Sequence, residues 1–181
     1  MRIEGTTVTL RPLTEAEVEP VVRTTMPWVT DGSDEAKVRE AVRGRIRGDI
    51  PFPGIEFAIE AGGRLVGDVQ ARRDGLPFGV FEIGLGLFDE VDRGRGLGGE
   101  ALRLITAHLF ADGFVHRVQL STEVTNAPMR RCAEAAGYRF EGVMRGFWTP
   151  RGDEPAADYA MYAMTRDDHD HTHTHDHAGA G

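Results

Sequence analysis

The segment over residues 91–101 combines glycines and arginines in an arrangement that suits anion binding. It reads Val-Asp-Arg-Gly-Arg-Gly-Leu-Gly-Gly-Glu-Ala and lies between a predicted strand and a predicted amphipathic helix. Glycines let backbone N–H groups converge on a phosphate, and a helix start adds unpaired donors and the positive end of its dipole. Glycines alone would favour a plain turn, but two arginines inside it favour a pyrophosphate. The residues predicted to bind it are Arg93, Gly94, Arg95, Gly96, Leu97, Gly98 and Gly99.

The same glycines also fit a dinucleotide-binding fingerprint. Gly94, Gly96 and Gly99 satisfy G-x-G-x-x-G, and Glu123 lies about where such a domain carries its ribose-binding acid. A Rossmann turn follows its strand almost at once, whereas the acidic stretch 89–93 intervenes here. The downstream chain is also too short and too rich in predicted strands for a second nucleotide-binding half. A Rossmann domain is therefore disfavoured, and a phosphate loop of the G-x-x-x-x-G-K-S/T type is absent because no lysine follows the glycines.

The hydrophobic pattern around this segment predicts a mixed α/β domain. Polar and apolar residues alternate along the predicted strands, and apolar residues at helical spacing mark the helices. In the helix after the glycines, Leu104 and His108 fall on the predicted buried side. The expected strands cover 7–13, 55–59, 65–69, 80–88, 117–123, 138–146 and 158–165, and the expected helices cover 14–24, 33–47, 96–111 and 126–136.

Length and composition limit the class of protein. With 181 residues, 40% of them hydrophobic, the chain suits one compact domain. The single cysteine, Cys132, excludes an internal disulfide framework and agrees with a reducing compartment. The first residues lack the blocks of a secretory signal and no segment is apolar for long enough to cross a bilayer, so a cytoplasmic protein without a membrane partner is expected. The net charge of -8 argues against a nucleic-acid partner, because counterion release needs a concentrated basic surface.

The C-terminal residues 167–181 differ from the rest of the chain. Their His-rich and Asp-rich composition predicts a disordered tail after a domain over 1–166. Imidazoles at this density can chelate Zn, Ni or Cu ions, so a weak adventitious metal site and a true metal store or sensor are both open interpretations. No other metal site is expected. The candidate ligands in the tail are His169, His171, His173, His175 and His177.

Several motifs together resemble the GNAT superfamily of N-acetyltransferases. Residues 93–98 fit the superfamily's acetyl-coenzyme A motif, Q/R-x-x-G-x-G/A, in every fixed place. Further matches are similar to the branch of ribosomal-protein N-terminal (alanine/serine) acetyltransferases. They are Leu-Arg-Pro-Leu-Thr at 10–14, Phe-Glu-Ile-Gly at 81–84, Asn126, Gly-Tyr at 137–138 and Glu-Gly at 141–142. The resemblance covers most of residues 7–165.

The resemblance implies a single GNAT-like domain of the α/β (α+β) class. Its central sheet would be mixed and mostly antiparallel, flanked by helices and splayed where acetyl-coenzyme A binds. Gly84 and Gly86 share one face of the strand before the loop, where they would allow another chain to lie close and a bulge to form, with tight packing against a helix as the alternative. A pantetheine arm would then pair with the backbone around Leu85 and Leu87 as an added strand. The coenzyme would also contact Asn126, a residue that equally suits a helix cap.

The resemblance further implies direct attack of an unprotonated primary amine on the thioester. An alkyl ammonium must first lose a proton, and Glu82 is the best-placed carboxylate on the central strand, with a plain exposed glutamate as the alternative. Many relatives have a tyrosine that protonates the leaving thiolate where this chain has Ala133, and Met129 replaces a serine that is frequent in the branch. A catalytically silent module that binds acetyl-coenzyme A or a metal therefore stays the alternative to an enzyme.

The acceptor amine is less defined than the coenzyme. By the resemblance it would lie beside the segment 27–53, where Trp28, Asp31, Asp34 and Glu35 are compatible with a cationic amine, a peptide N-terminus or an antibiotic. The branch favours a protein N-terminal amine. The expected partners are acetyl-coenzyme A and an amine, and a homodimer stays open.

Overall fold

The computed structural model describes residues 1–29, 33–47, 54–73, 75–149 and 155–176. The strands are β1 (Ile3–Glu4), β2 (Val8–Pro12), β3 (Gly54–Ala61), β4 (Arg64–Arg72), β5 (Val80–Leu87), β6 (Arg117–Glu123), β7 (Arg139–Trp148) and β8 (Ala157–Thr165). The helices are α1 (Val18–Thr25), α2 (Glu35–Arg47), α3 (Leu97–Phe110), α4 (Ala127–Ala135) and α5 (Arg166–Asp176). Short 3₁₀ turns cover Glu15–Glu17, Met26–Trp28 and Glu90–Asp92.

Within these ranges, eight strands form one open sheet in the order β1-β2-β3-β4-β5-β6-β8-β7. Neighbouring strands are antiparallel except β5 and β6, which are parallel and pair from Val80 with Arg117 to Glu82 with Gln119. Both strands continue well beyond these pairs. They therefore diverge after Glu82, and the expected mixed, mostly antiparallel sheet with a splayed centre is confirmed.

Helices cover both faces of the sheet. On one face, Leu102 and Ile105 of α3 belong to the main hydrophobic core together with Ile83 of β5. On the other face, Val21 of α1 and Val42 of α2 belong to a second core that includes the strand residue Ala58. No helix in the described part of the chain is long and apolar enough to span a membrane. The sheet is thus held between two helical layers, and its splayed centre lies between β5 and β6.

Most predicted elements are confirmed, because their signals are local. The predicted strand over 117–123 coincides with β6, and Gly137, at φ +90°, follows α4 as the expected stop. Two details at the N-terminus differ from the prediction. The two-residue strand β1 has no sequence signal, and Thr14 precedes a 3₁₀ turn in which the Glu17 carboxylate accepts hydrogen bonds from Thr14 N and Oγ1, both at 2.6 Å. Helix α1 begins only after that turn.

The buried side of α3 is rotated relative to the prediction. Leu104 and His108 are only half-buried, whereas Leu102, Thr106 and Phe110 are buried. Apolar residues extend around much of this helix, so their spacing does not define which side faces the sheet.

The bulge predicted in β5 is wrong. β4 and β5 pair without a shift from Gly67 with Leu87 to Arg72 with Glu82. Gly84 and Gly86 therefore lie in regular antiparallel pairs, and the opening of the sheet arises on the other side of β5, where β6 diverges.

The chain after Thr165 forms a helix where a disordered tail was predicted. Thr165 Oγ1 donates to Asp168 Oδ2 at 2.7 Å, and Asp168 N donates to Thr165 Oγ1 at 3.3 Å, which caps the start of α5. The Arg166 guanidinium donates to the backbone carbonyls of Phe110 (2.9 Å), Asp112 (2.8 Å) and Val115 (3.0 Å). These polar contacts substitute for the apolar stripe that the tail lacks. Residues 177–181 lie outside the described residues, and the domain boundary at 166 stays a prediction.

We expect Arg166→Ala to destabilise the protein. The half-buried guanidinium satisfies carbonyls at the C-terminal end of α3 and in the loop after it, and hydrogen bonds to a charged donor contribute about 1.5–3 kcal/mol. The free energy of unfolding in urea should fall by roughly that amount. Arg145→Ala, which removes an exposed arginine from β7, is the matched control. Equal stability of the two variants would show that the helix-end contacts contribute nothing.

Candidate functional site

The glycine-arginine loop leads directly into the N-terminus of α3. Gly94 has φ +72° and Gly96, the residue that precedes the helix, has φ +82°. A Cβ atom on either glycine would meet no atom within 4 Å. The requirement for glycine is therefore conformational, because residues with a side chain avoid the left-handed region.

The first turn of α3 offers free backbone donors. The first α-helical hydrogen bond at this end runs from Glu100 N to Gly96 O, at 3.0 Å. The N–H groups of Leu97, Gly98 and Gly99 precede it and have no acceptor within the helix. Together with the positive end of the helix dipole they form an arrangement that suits an anion, and pyrophosphate binding by this segment stays a prediction.

The acidic side chains near this site differ in their exposure: Glu90 is exposed, 3.7 Å from Arg93 Nη1, whereas Asp92 is turned away from solvent. Asp92 is fully buried and accepts two hydrogen bonds from Arg64, at 2.6 and 3.1 Å, and Arg95 Nη1 lies 3.6 Å from its Oδ1. The Arg64 hydrogen bonds hold the pKa of Asp92 below its ordinary value, so this carboxylate stays ionised and paired. Asp92 is therefore neutralised by its partners, and the side chains of Arg93 and Arg95 remain exposed beside the loop.

Glu100, in the first turn of α3, is also engaged elsewhere. Its carboxylate accepts hydrogen bonds from Thr7 N at 3.0 Å, and from Thr6 N and Thr7 Oγ1. Burial raises the pKa of Glu100, but these hydrogen bonds outweigh it and lower the pKa below its ordinary value. The acid thus fastens the start of α3 to the turn before β2 and leaves the anion site to the arginines.

One face of β5 packs against the start of α3. The position of a Cβ on Gly98 would be 3.4 Å from Leu85 Cδ2 and 3.9 Å from Leu87 Cδ1. Leu85 and Leu87 therefore point their side chains under the helix. Their backbone runs along the edge of β5 that has no strand partner in the described part of the chain once β6 diverges. This edge is available for an extended ligand.

Glu82 lies at the closed end of the opening, in the last β5–β6 pair. Its Oε2 accepts a hydrogen bond from Gln119 Nε2 at 3.2 Å, and its Oε1 accepts one from Ser121 Oγ at 3.3 Å. Both partners belong to β6. Glu82 is half-buried, and its hydrogen bonds to β6 span the point at which the two strands separate. It is therefore not the plain exposed glutamate of the alternative interpretation.

The two glycines of β5 face side chains of β4 and not a helix. A Cβ on Gly84 would lie 3.3 Å from Gln70 Cγ, and one on Gly86 would lie 3.8 Å from Asp68 Oδ1. The alternative of tight packing against a helix is therefore wrong. The missing side chains leave Asp68 open towards the end of β5, and sequence reasoning missed this carboxylate because its strand contains no motif.

The start of α4 forms the opposite wall. Asn126 Oδ1 accepts a hydrogen bond from Met129 N at 3.2 Å, and Asn126 Nδ2 donates to Thr122 Oγ1 at 3.0 Å, so the cap is confirmed. Cys132 Sγ lies 3.9 and 3.8 Å from the Cβ positions of Gly98 and Gly99. α4 therefore packs over the start of α3. Burial raises the pKa of Cys132, which agrees with the packing role expected for it.

His169 lies far from this opening. Its ring contacts Phe110, the last residue of α3, with 4.8 Å between the ring centroids. Because the glycine-arginine loop adjoins the other end of this 14-residue helix, about 20 Å separates the two regions. The described residues contain no group of three metal-ligating side chains. His173 and His175 have undescribed side chains and His177 lies outside the described residues, so a tail metal site stays a prediction.

We expect Gly96→Ala to weaken both the fold and the coenzyme site. A side chain in the left-handed conformation costs about 1–2 kcal/mol, and relief of that strain would move the first turn of α3. Urea unfolding should register this loss, and calorimetry should register an affinity for coenzyme A reduced by about tenfold. Gly113→Ala is the matched control, because that glycine has no positive φ and no atom near its Cβ position. A Gly96→Ala variant as stable and as tight as the control would contradict the argument.

A family model and known structures agree with this arrangement. The acetyltransferase (GNAT) domain family matches residues 7–139, while no curated protein matches the chain by sequence. RimL, a ribosomal L7/L12 α-N-protein acetyltransferase solved in complex with coenzyme A, is similar with a TM-score of 0.71 at 21% identity. The similarity covers 91% of this chain and 98% of that one.

Two further structures share the fold. An acetyltransferase from Salmonella typhimurium, described as modifying the N-terminal serine of the ribosomal protein L7/L12, has a TM-score of 0.70 at 20% identity, over 91% of this chain and 99% of that one. The aminoglycoside acetyltransferase AAC(6')-Ib in complex with coenzyme A has a TM-score of 0.71 at 22% identity, over 92% of this chain and 99% of that one. With a family match over more than half of its length and a sheet that splays beside a glycine-arginine loop, the chain belongs to the GNAT acetyltransferase family.

Proposed function

We propose that the chain transfers an acetyl group from acetyl-coenzyme A to a primary amine, by direct attack of the amine on the thioester. The observation that carries this proposal is a single opening that joins an anion-binding loop to an unpaired strand edge. Membership of the GNAT family supports it, as do the similar structures solved with coenzyme A.

The residues of the opening suit successive parts of the coenzyme. Arg93, Arg95 and the N–H groups at 97–99 would hold the pyrophosphate, with Gly94 and Gly96 shaping the loop. The backbone at Leu85 and Leu87 would pair with the amides of the pantetheine arm, and an N–H group on this edge would stabilise the negative charge that develops on the thioester oxygen. Asn126 stays a proposed contact, because the structure shows only its role as a cap.

Glu82 is the carboxylate that we propose to receive a proton from the reacting nitrogen. It stands at the closed end of the opening, where Gln119 and Ser121 orient both of its oxygens. A water molecule between the amine and this carboxylate would complete the transfer, since proton transfer needs hydrogen-bond reach or one intervening water.

The acceptor is a protein N-terminus or a small-molecule amine. The similar structures include acetyltransferases of each kind, for ribosomal protein L7/L12 and for aminoglycosides. Of the segment 27–53 expected beside the acceptor, α2 with Glu35 is described, whereas Asp31 lies outside the described residues. The resemblance to the ribosomal-protein branch favours the N-terminal amine.

The alternative of a silent binding module rests on the missing thiolate donor. Ala133 is fully buried, so this position offers no hydroxyl. The Tyr138 hydroxyl shares a buried hydrogen bond with Thr106 (2.6 Å), and burial raises the pKa of Tyr138. This hydroxyl therefore has a structural partner in the core and is not the proton donor that we propose for the thiolate. We propose that the thiolate takes its proton from solvent. The cytoplasmic location and the homodimer expected from the sequence stay predictions.

We expect the double variant Arg93→Ala/Arg95→Ala to lose most of its affinity for coenzyme A. Both side chains are exposed beside the loop, and charged hydrogen bonds to a pyrophosphate contribute about 1.5–3 kcal/mol each, so the Kd should rise by at least tenfold. Calorimetry at two salt concentrations measures this, and raised salt should weaken the wild-type chain more than the variant. Arg145→Ala should bind as the wild type does. No heat of binding by the wild type would remove the basis of the proposal.

We expect Glu82→Gln to lower turnover while coenzyme A binding stays unchanged. Loss of a proton acceptor typically lowers a rate by about 100-fold or more, whereas the amide keeps the size of the side chain. Thiol release from acetyl-coenzyme A, with a serine-initiated pentapeptide and with kanamycin as acceptors, provides the rates. Glu123→Gln, at the far end of β6, is the control. Turnover by the wild type also rejects the silent module, and an undiminished rate in Glu82→Gln would reject the catalytic role.

A further inference from the structure

Asp68 on β4 is a second carboxylate beside the opening. It pairs with Gly86 in the β4–β5 register, and its Oδ1 lies 3.8 Å from the position of a Cβ on that glycine. Gly84 and Gly86 share its side of the sheet and have no side chains. The half-buried carboxylate is therefore exposed to the coenzyme end of β5, whereas Glu82 is held at the closed end.

The charged neighbours of Asp68 come from two elements. Glu56 of β3 is its diagonal neighbour across the β3–β4 pair, and Arg45 of α2 donates two hydrogen bonds to Glu56, at 3.1 and 3.3 Å. β5 presents only glycines next to Asp68, and its charged residue Glu82 is further along the strand, opposite Arg72. In the described residues, no side chain donates a hydrogen bond to Asp68.

This environment raises the pKa of Asp68 to about 7. Burial is the main cause, the negative charge of Glu56 adds to it, and Arg45 opposes it. A carboxylate with a pKa near 7 is a stronger base than an ordinary aspartate; it is about half ionised at pH 7 and largely ionised above it.

The reaction removes two protons from the acceptor nitrogen, so two carboxylates near the cleft can share this work. Conversion of an ammonium to an amide removes two protons from nitrogen, one before the attack and one from the adduct. Glu82 and Asp68 project from the same face of the sheet, Glu82 at the closed end of the opening and Asp68 on the neighbouring strand β4, opposite Gly86. Asp68 also faces α2, and thus the acceptor side expected for the segment 27–53.

We propose that Asp68 is the catalytic group that deprotonates the incoming ammonium of the acceptor. One N–H bond breaks, its electron pair stays on nitrogen, and the proton forms an O–H bond on the Asp68 carboxylate. The free amine then attacks the thioester carbonyl and a C–N bond forms; the adduct gives its second proton to Glu82, the C–S bond breaks, and the thiolate leaves and takes a proton from solvent. Asp68 and Glu82 return their protons to solvent. This inference rests on the proposed acetyl transfer and adds to it the residue that activates the acceptor.

The pH dependence has a defined sign. Asp68 acts as the ionised carboxylate, so kcat/KM for the acceptor should rise as the pH increases through about 7 and fall below it. The negative charge of Glu56 raises the pKa of Asp68, so removal of that charge lowers it. The Glu56→Gln variant, which keeps the Asp68 carboxylate, should therefore show the inflection at a lower pH.

The test is the pH profile of kcat/KM with kanamycin and with a serine-initiated pentapeptide, together with the Kd of coenzyme A. We expect Asp68→Asn to lose about 100-fold at pH 7, to lose the inflection near pH 7, and to bind coenzyme A as the wild type does. Glu82→Gln should keep that inflection. Asp112→Asn, an exposed site at the far end of α3, should leave the profile unchanged.

Each other outcome counts against the inference. An Asp68→Asn variant that keeps the inflection overturns it, whether or not the rate falls, because a merely structural role would lower the rate alone. If the Glu56→Gln variant shows the inflection at the same pH as the wild type, the inference is also overturned. Because this variant retains Asp68, it provides the test even if the Asp68→Asn variant fails to fold. Absence of turnover by the wild-type chain with both acceptors overturns the proposed function itself, and the inference with it.

Discussion

The divergence of β5 and β6 is the constraint on which the rest of the site depends. The strands share three residue pairs and then separate, which leaves backbone donors and acceptors of β5 without a strand partner in the described residues. Unpaired backbone groups in a sheet centre are costly unless a ligand or water satisfies them. The loop before α3 begins where β5 ends, and α4 begins where β6 ends. One topological feature thus brings the anion site, the strand edge and Glu82 into a single cleft.

Both signs of charge lie along this cleft. At the loop end, Arg93 and Arg95 face solvent, and the exposed Glu90 lies 3.7 Å from Arg93 Nη1. The nearby acids Asp92 and Glu100 are bound to Arg64 and to the turn before β2. Glu82 lies at the closed end, where Gln119 and Ser121 donate hydrogen bonds to it, and Asp68 lies opposite Gly86, nearer the loop end of β5.

The sequence predicted the parts of the site whose signals are local. Glycines at positive φ, the alternation in β6 and the capping asparagine of α4 each act within a few residues of themselves, so their spacing identified the loop and most of the elements. Asp68 has no such signal. Its importance depends on the register that places it opposite Gly86 and beside Glu56, and register is a property of paired strands. The helical tail was not predicted because it too depends on contacts between residues far apart in the sequence, here those of Arg166 with the loop after α3.

Helix α3 is fastened at both ends. Glu100 ties its first turn to Thr7, and Arg166 binds the carbonyls around its last turn. A helix restrained in this way has little freedom to slide or tilt, so its front N–H groups keep their position before any ligand arrives. Preorganisation of this kind reduces the ordering entropy lost on association. The polar C-terminal extension, at the opposite end of the helix from the glycine-arginine loop, therefore helps to fix the position of the first turn of α3.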